Sequence, residues 1–218
     1  MSFVRPEDWR PQGVSDLEPH AWEALRQTAQ SILVTAGAGA GKTEFLAQKA
    51  TYLLQTGLCP APKRILAISF KHDAARNLAE RVAMRCPSVQ ARRFNSYTFD
   101  ALAKNLVDRF RPAIPEPYRP PAGYRIVMPR RQDYHDFLET HHFRGVNAQQ
   151  LEHEIARARL PVADLGSELQ RAVAEYWRAQ YNDDVRLSFP MLNRLVELLI
   201  WENPSILNVL FVAFEKLA

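Results

Sequence analysis

Residues 36–43 have the types and spacing of a phosphate-binding loop. They read Ala-Gly-Ala-Gly-Ala-Gly-Lys-Thr and directly follow the apolar run Ile32-Leu33-Val34. Glycines allow a backbone to curl until its N–H groups point at one anion. Lys42 is placed to reach the β- and γ-phosphates of a nucleotide, and the Thr43 hydroxyl suits a Mg²⁺ ligand in the first turn of a following helix.

The candidate nucleotide-binding residues of this loop are Ala36, Gly37, Ala38, Gly39, Ala40, Gly41, Lys42, Thr43 and Glu44. Lys42 and Thr43 are also the candidate catalytic residues, and Thr43 is the candidate magnesium ligand. The strict pattern has Gly where Ala36 stands. The alternative is a Gly/Ala-rich turn that happens to precede a lysine. It is disfavoured because strand, loop, Lys-Thr and helix all occur in register.

Short apolar runs alternate with amphipathic stretches through the first half of the chain. We predict strands at Ile32–Thr35, Ile65–Ile68 and Val89–Phe94, and helices at about 18–30 and 43–55. Two more helices are expected, one with Ala74, Ala75, Leu78, Ala79, Val82 and Ala83 on one face, the next with Phe99, Leu102, Ala103, Leu106, Val107 and Phe110. This alternation predicts βαβ units and a parallel sheet, hence an α/β fold. Residues 1–15 are expected to be a loose lead-in.

The pattern changes at a proline-rich stretch between Arg111 and Pro129, which no helix would survive. Helices are then predicted around Tyr134 to Leu138, from Leu151 to Pro161, from Leu165 to Trp177, and from Leu192 to Ile200. Val209–Glu215 is interpreted as an apolar strand. We therefore expect a core over 1–111, a mainly helical insertion over 112–188, and a return segment over 189–218.

Composition excludes some classes of protein. The chain has 218 residues, of which 47% are hydrophobic, so it can build a core. It has no apolar run long enough to span a membrane and no leader-like start, so we expect a cytoplasmic protein without a membrane partner. Cys59 and Cys86 lack metal-ligand spacing and are interpreted as reduced thiols. A net charge of +4 is compatible with nucleic acid without indicating it.

Three segments together resemble the UvrD/Rep-type DNA helicases. Residues 36–43 match the family's form of the phosphate loop, which starts with Ala. Ile65–Ala75 resembles a strand that ends at a Phe near bound single-stranded DNA and leads into an Ala-Ala helix. Thr98–Ala101 resembles the Thr-Phe-x-Ser motif that opens the next helix. The resemblance implies a RecA-like P-loop core with a helical insertion, ATP and Mg²⁺ as cofactors, single-stranded DNA as partner, and ATP-dependent helicase activity in the parent protein.

The sequence departs from the family in three places. The family's adenine-reading Gln would fall near Ala21 and Trp22, where no Gln stands; Gln27 and Gln30 lie too close to the first strand. No Asp-Glu-x-Gln follows the insertion, and Val209–Glu215 carries no Asp. The later motifs, the second core domain and its arginine finger do not appear either. We therefore expect this 218-residue chain alone to hydrolyse ATP slowly or not at all.

Candidate DNA contacts follow from the second and third motifs. They are Phe70, Lys71, Asn95, Ser96, Thr98 and Phe99, beside a set of basic residues, Lys63, Arg64, Lys71, Arg76, Arg92 and Arg93. The aromatic rings would stack on bases and the cations would follow phosphates. For Phe99 a core position is favoured, because it starts an apolar stripe; for Phe70 both interpretations stay open. Asn95 and Ser96 would contact phosphates or cap helices.

Other groups of residues have simpler explanations. His135, Glu139 and His142 share a helical face and are interpreted as solvated rather than metal-binding. Tyr176, Trp177 and Tyr181 are expected to pack in a core. The competing functions are an ATP/single-stranded-DNA-binding module without hydrolysis residues and, less well supported, a small P-loop kinase.

Overall fold

The computed structural model describes residues 3–29, 31–35, 37, 39–162, 166–182 and 184–213. For residues 211–213 it describes the backbone only. Contacts divide the chain into two compact units, Met1–Phe99 with Leu207–Ala218, and Asp100–Ile206. Within the described part of the chain, no helix is both long enough and apolar enough to cross a membrane.

The first unit is built from helices around one pair of strands. Its elements are α1 (Pro19–Arg26), α2 (Lys42–Gln55), β1 (Ile65–Ser69), α3 (His72–Arg85), α4 (Ser88–Ala91) and β2 (Phe94–Thr98). β1 and β2 pair in parallel, from Ile65 opposite Phe94 to Ser69 opposite Thr98. The predicted helix at 43–55, the strand at 65–68 and the helix that follows it are confirmed.

The core of this unit surrounds α2. Every residue from 47 to 54 is buried, so this half of the helix is enclosed on all sides. α3 packs with the apolar face that the sequence predicts, since Ala75, Leu78 and Val82 are buried. Helices of this length are held by such tertiary packing rather than by propensity.

Two predicted strands are wrong. Residues 31–35 form no strand, and Leu33 is 90% exposed. A strand needs a hydrogen-bonded neighbour, and β1 is paired with β2 while no described strand lies beside 31–35. Val89–Phe94 contains most of α4 and only the first residue of β2, because Pro87 begins a helical turn there.

The start of the chain is part of the core and not the loose lead-in that was expected. Trp9 is 2% exposed. Its ring makes edge contacts with Trp22 at 6.0 Å and Tyr52 at 5.3 Å between centroids, and its Nε1 donates to Gln55 Oε1 at 2.7 Å. The N-terminal segment is thereby fixed to the C-terminal end of α2.

The second unit is mainly helical. Its elements are α5 (Phe99–Phe110), a 3₁₀ turn (Arg111–Ala113), β3 (Arg125–Ile126), α6 (Arg131–Thr140), α7 (Ala148–Arg157), α8 (Glu168–Gln180), β4 (Arg186–Leu187) and α9 (Phe189–Glu202). The last helix, α10 (Ser205–Ala213), begins in the second unit and belongs to the first unit from Leu207 onward. The four helices predicted after the proline-rich stretch are confirmed, with α7 ending before Pro161. The parallel pairing of β3 with β4 has no counterpart among the predictions.

The helices α8 and α10 differ from the sequence-based predictions at their start and in their type. The predicted strand at Val209–Glu215 is wrong as far as residue 213, because α10 runs through it. α8 starts at an N-cap, Ser167, whose side chain accepts from Gln170 N, and the predicted start at Leu165 lies outside the described residues. Tyr176 and Trp177 are buried, as expected, and Tyr181 is half-buried.

Candidate nucleotide and nucleic-acid site

The predicted phosphate loop lies at the N-terminus of α2. Gly41 is the N-cap of the helix, with φ of 76°, and Gly39 has φ of 77°, conformations that favour glycine. A Cβ added at Gly37, Gly39 or Gly41 would meet no atom within 4 Å. The N-cap, Gly41, has no side chain to offer the N–H groups of the first turn of α2, where the positive end of the helix dipole lies.

The side chains at this loop agree with a polyphosphate ligand. Lys42 and Thr43 are the first two residues of α2, and both are exposed. Lys42 Nζ donates to Gly37 O at 2.6 Å, so the ammonium lies over the loop itself. A cation, a hydroxyl and left-handed glycines at one helix N-terminus fit a Mg-nucleotide. Ala36 and Ala38 lie outside the described residues.

Glu44 belongs to the same turn but contacts protein groups. Its Oε1 accepts from Arg85 Nη2 at 2.9 Å and from Gln48 Nε2 at 2.7 Å, and its Oε2 pairs with Arg81 Nη1. Arg85 also donates through Nε to Gln12 O at 2.9 Å. These bonds join the first turn of α2 to the C-terminal half of α3.

Lys49 fixes the end of α1 from within the core. Its Nζ donates to Ala24 O at 3.0 Å, to Leu25 O at 2.7 Å, and to Gln27 O. These carbonyls lie at the C-terminus of α1, where a cation is favourable. Burial lowers the pKa of the Lys49 ammonium to about 8. Its position on a helical face gave no sign of this role.

Four of the candidate DNA contacts lie at one edge of the sheet: Phe70, Lys71, Thr98 and Phe99. Ser69 and Thr98 are paired at the carboxyl ends of the parallel strands, and Phe70 and Phe99 follow them directly. Phe70 is 90% exposed and Phe99 is 62% exposed. The favoured core position for Phe99 is therefore wrong: its ring starts the apolar stripe of α5 but lies in solvent. Lys71, also exposed, is the N-cap of α3.

The other candidates lie away from that edge. Asn95 and Ser96 are inside β2, opposite Leu66 and Ala67. Asn95 Oδ1 accepts from Arg64 Nε at 2.6 Å. Ser96 Oγ is buried and has no hydrogen-bond partner among the described residues.

Two of the basic residues, Arg64 and Arg93, make hydrogen bonds within the protein. Arg93 donates through Nε to Lys63 O at 2.8 Å and through Nη2 to Cys59 O at 2.5 Å. Arg64 also donates to Arg92 O at 2.6 Å. Cys59 and Cys86 are buried, and neither is in a disulfide. The side chains of Arg64 and Arg93 thus already hold backbone carbonyls next to β1 and β2.

Ala21 and Trp22, near which the spacing places the family's adenine-reading Gln, lie in α1. Trp22 donates through Nε1 to Asp16 Oδ1 at 2.8 Å, and Arg26 lies 4.8 Å above its ring. The bond from Trp22, helped by the Leu17 N–H, lowers the pKa of the Asp16 carboxyl. Gln27 accepts from Ala29 N, and Gln30 lies outside the described residues.

The histidine cluster is a surface feature. The ligand atoms of His135, Asp136 and Glu139 lie within 4.8 Å of one another, and all three residues are exposed. His142 does not join this group. Exposed i, i+4 neighbours of this kind arise on any polar helix face.

Comparison with known proteins identifies the family. A model of the UvrD/REP helicase N-terminal domain matches residues 17–185. The chain belongs to this family.

Similar proteins include ATP-dependent DNA helicase PcrA of Leuconostoc citreum, 41% identical over 40% of this chain and 12% of the relative. DNA helicase IV and ATP-dependent DNA helicase Rep of Escherichia coli are 34% and 32% identical, over 46% and 43% of this chain and 14% of each relative. The chain thus matches only a small part of the length of these helicases.

Proposed function

We propose that this chain is the nucleotide-binding part of an ATP-dependent DNA helicase or translocase of the UvrD/Rep type that acts on single-stranded DNA. In this proposal residues 1–111 belong to a RecA-like core, residues 112–188 form the helical insertion, and residues 189–218 return toward the core. Family membership and the helicases among the similar proteins support the helicase class.

ATP with Mg²⁺ is the proposed cofactor of the loop before α2. Hydrolysis of its terminal phosphate would supply the free energy for movement along DNA. The backbone of residues 39–41 would hold the phosphates, Lys42 would neutralise their charge, and the Thr43 hydroxyl would be a metal ligand. The left-handed conformations of Gly39 and Gly41, and the position of Gly41 as the N-cap of α2, support this assignment.

The observation that carries the DNA part of the proposal is the juxtaposition of Phe70 and Phe99. Two aromatic side chains follow adjacent parallel strands and are mostly in solvent. Exposed aromatic rings at the carboxyl edge of such a sheet lie where α/β proteins bind ligands. Base faces stack on such rings in single strands, while duplex DNA hides those faces. Lys71, next to Phe70, would add a phosphate contact.

A titration of a labelled oligothymidine tests this assignment. We expect weak binding that prefers single strands to duplex, with a log–log salt slope on the order of −1 to −3, the value for a handful of phosphates. Phe70→Ala should reduce the preference for single strands, and Lys71→Ala should weaken binding uniformly across sequences. Met84→Ala is the matched control, because Met84 on α3 is an apolar side chain 76% exposed.

Tighter binding to duplex, or binding that does not respond to salt, would contradict the DNA assignment. A Phe70→Ala variant that keeps the full preference for single strands would contradict the role of this ring.

A further inference from the structure

We infer that Glu44, held by Arg81 and Arg85, is a positioning residue that couples the nucleotide loop to the DNA-facing edge of the sheet. The inference rests on the proposed function of those two sites. It assigns to Glu44 a contact with protein only, although the residue lies next to Thr43 in the loop's own helical turn.

The first step is the attachment of Glu44 to α3. Arg85 Nη2 lies 2.9 Å from Glu44 Oε1, and Arg81 Nη1 pairs with Glu44 Oε2. Arg85 Nη2 also donates to Glu44 Oε2 at 3.1 Å, so both carboxylate oxygens accept from a guanidinium, and Gln48 adds a hydrogen bond from within α2. A carboxylate with this many charge-assisted bonds has one well-defined position, so the first turn of α2 is fixed relative to α3.

The second step is the attachment of α3 to the DNA-facing edge. Phe70 follows the last residue of β1, Lys71 is the N-cap of α3, and α3 itself starts at His72. Leu78 and Val82 anchor the helix in the core. A shift of Phe70 and Lys71 on binding DNA would be passed along this rigid helix to Arg81, about 15 Å away at 1.5 Å per residue.

The ion pair between Glu44 and Arg85 is mostly buried, and it offsets a negative charge next to the nucleotide loop. The side chains of Glu44 and Arg85 are only 19% and 11% exposed, so solvent screens their pairing little. A bare carboxylate beside the phosphate loop would repel a polyphosphate. The two guanidiniums outweigh that single negative charge, which lets an acidic residue stand where an anion is to bind.

The ion pair between Arg76 and Glu80 on the same helix provides the contrast. Its atoms are 4.0 Å apart, and the side chains are 71% and 64% exposed. Pairs of this kind contribute little. Glu80→Gln is therefore the matched control for Glu44→Gln, because the same carboxylate-to-amide change is made one residue from Arg81.

The test measures the dissociation constant of Mg·ATP with and without saturating oligothymidine. In the wild-type chain we expect the two constants to differ by about five-fold or more, the lower end of ordinary coupling. Glu44→Gln should bring their ratio close to one, while Glu80→Gln keeps the wild-type ratio. An unchanged ratio in Glu44→Gln, or an equal loss in both variants, would overturn the inference.

A second measurement needs no ligand. Amide hydrogen exchange at residues 39–45 should be about five-fold faster in Glu44→Gln than in the wild type and unchanged in Glu80→Gln, because local opening is governed by such contacts. Equal exchange in all three proteins would show that the attachment of Glu44 to Arg81 and Arg85 does not hold the loop.

The binding and exchange measurements together distinguish failure of the proposed function from failure of the coupling. If the wild-type chain binds neither nucleotide nor DNA, the proposed function fails, while the exchange result still decides whether Glu44 holds the loop through Arg81 and Arg85. If it binds both but with a ratio of one, the function stands and the coupling is refuted.

Discussion

The loop before α2 and the second half of that helix have opposite environments. Residues 39–43 are exposed, and the glycines among them have open space around them. Residues 47–54 are all buried, and their polar side chains are used inside the core, as with Thr51 Oγ1, which donates to Ala47 O at 2.8 Å. Only three residues of α2 thus separate the exposed loop at 39–43 from the buried segment at 47–54, which is called the support below.

The difference shows how the chain separates binding from stability. Side chains that would contact a ligand, such as Lys42 and Phe70, are exposed and lie outside the core. Groups that hold the support, such as Trp9 and Lys49, are out of reach of solvent. Substitutions in the two regions should therefore change different measurements.

The largest effect is expected for Trp9→Ala, which should lower the free energy of unfolding by about 3–5 kcal/mol, the range for a large aromatic residue in a core. The variant loses the contacts with Trp22 and Tyr52 and leaves Gln55 without its indole partner. Urea unfolding followed by circular dichroism measures the change.

Phe70→Ala is the companion variant and should stay within about 0.5 kcal/mol of the wild type, as exposed positions do. A similar loss of stability in both variants would remove the distinction between the support and the open surface.

The sequence predicted the support better than the surface. α2, β1 and α3 follow from local periodicity, and all three are confirmed. The strand at 31–35 depends on a partner distant in the chain, which periodicity does not reveal. Trp9 was missed because it stands among prolines and charges without a repeating pattern.

The contacts around the site are the least local of all. Arg81 is 37 residues from Glu44, and Arg85 is 41 residues away. Nothing in the spacing of α2 or α3 indicates that these side chains meet. The exposure of Phe99 was likewise hidden, because the residue begins an apolar stripe and the stripe predicts burial.

Gly41→Ala sharpens the comparison within the loop. It places a side chain at a φ of 76°, and the left-handed conformation costs about 1–2 kcal/mol for such a residue. Gly37→Ala is the control, since Gly37 has no positive φ and an added Cβ there meets nothing within 4 Å. Thermal unfolding should show a loss for Gly41→Ala alone, and equal melting temperatures would contradict the loop conformation.

Lys49 gives an effect of another kind, a dependence of stability on pH. Its pKa of about 8 lies below the value of 10.5 for a free lysine, so above pH 8 the folded chain releases a proton that the unfolded chain keeps. Stability should therefore rise with pH between about 8 and 10, relative to Lys49→Met.

Urea unfolding midpoints of both proteins at several pH values measure this slope. The Cys86 thiol, whose pKa is raised by burial, acts in the opposite direction in both proteins, so their difference isolates Lys49. Parallel curves for wild type and Lys49→Met would show that this ammonium is not buried as described.

The central claim is that the loop before α2 binds the phosphates of a nucleotide, and calorimetry of Mg·ATP binding to the wild type and to Lys42→Ala tests it most directly. The variant should bind about 1.5–3 kcal/mol more weakly, the scale of a lost charge-assisted hydrogen bond, with its unfolding unchanged. Lys104→Ala, which removes an exposed lysine paired with Asp108, should bind as the wild type does. Equal affinity in the wild type and Lys42→Ala would contradict the claim.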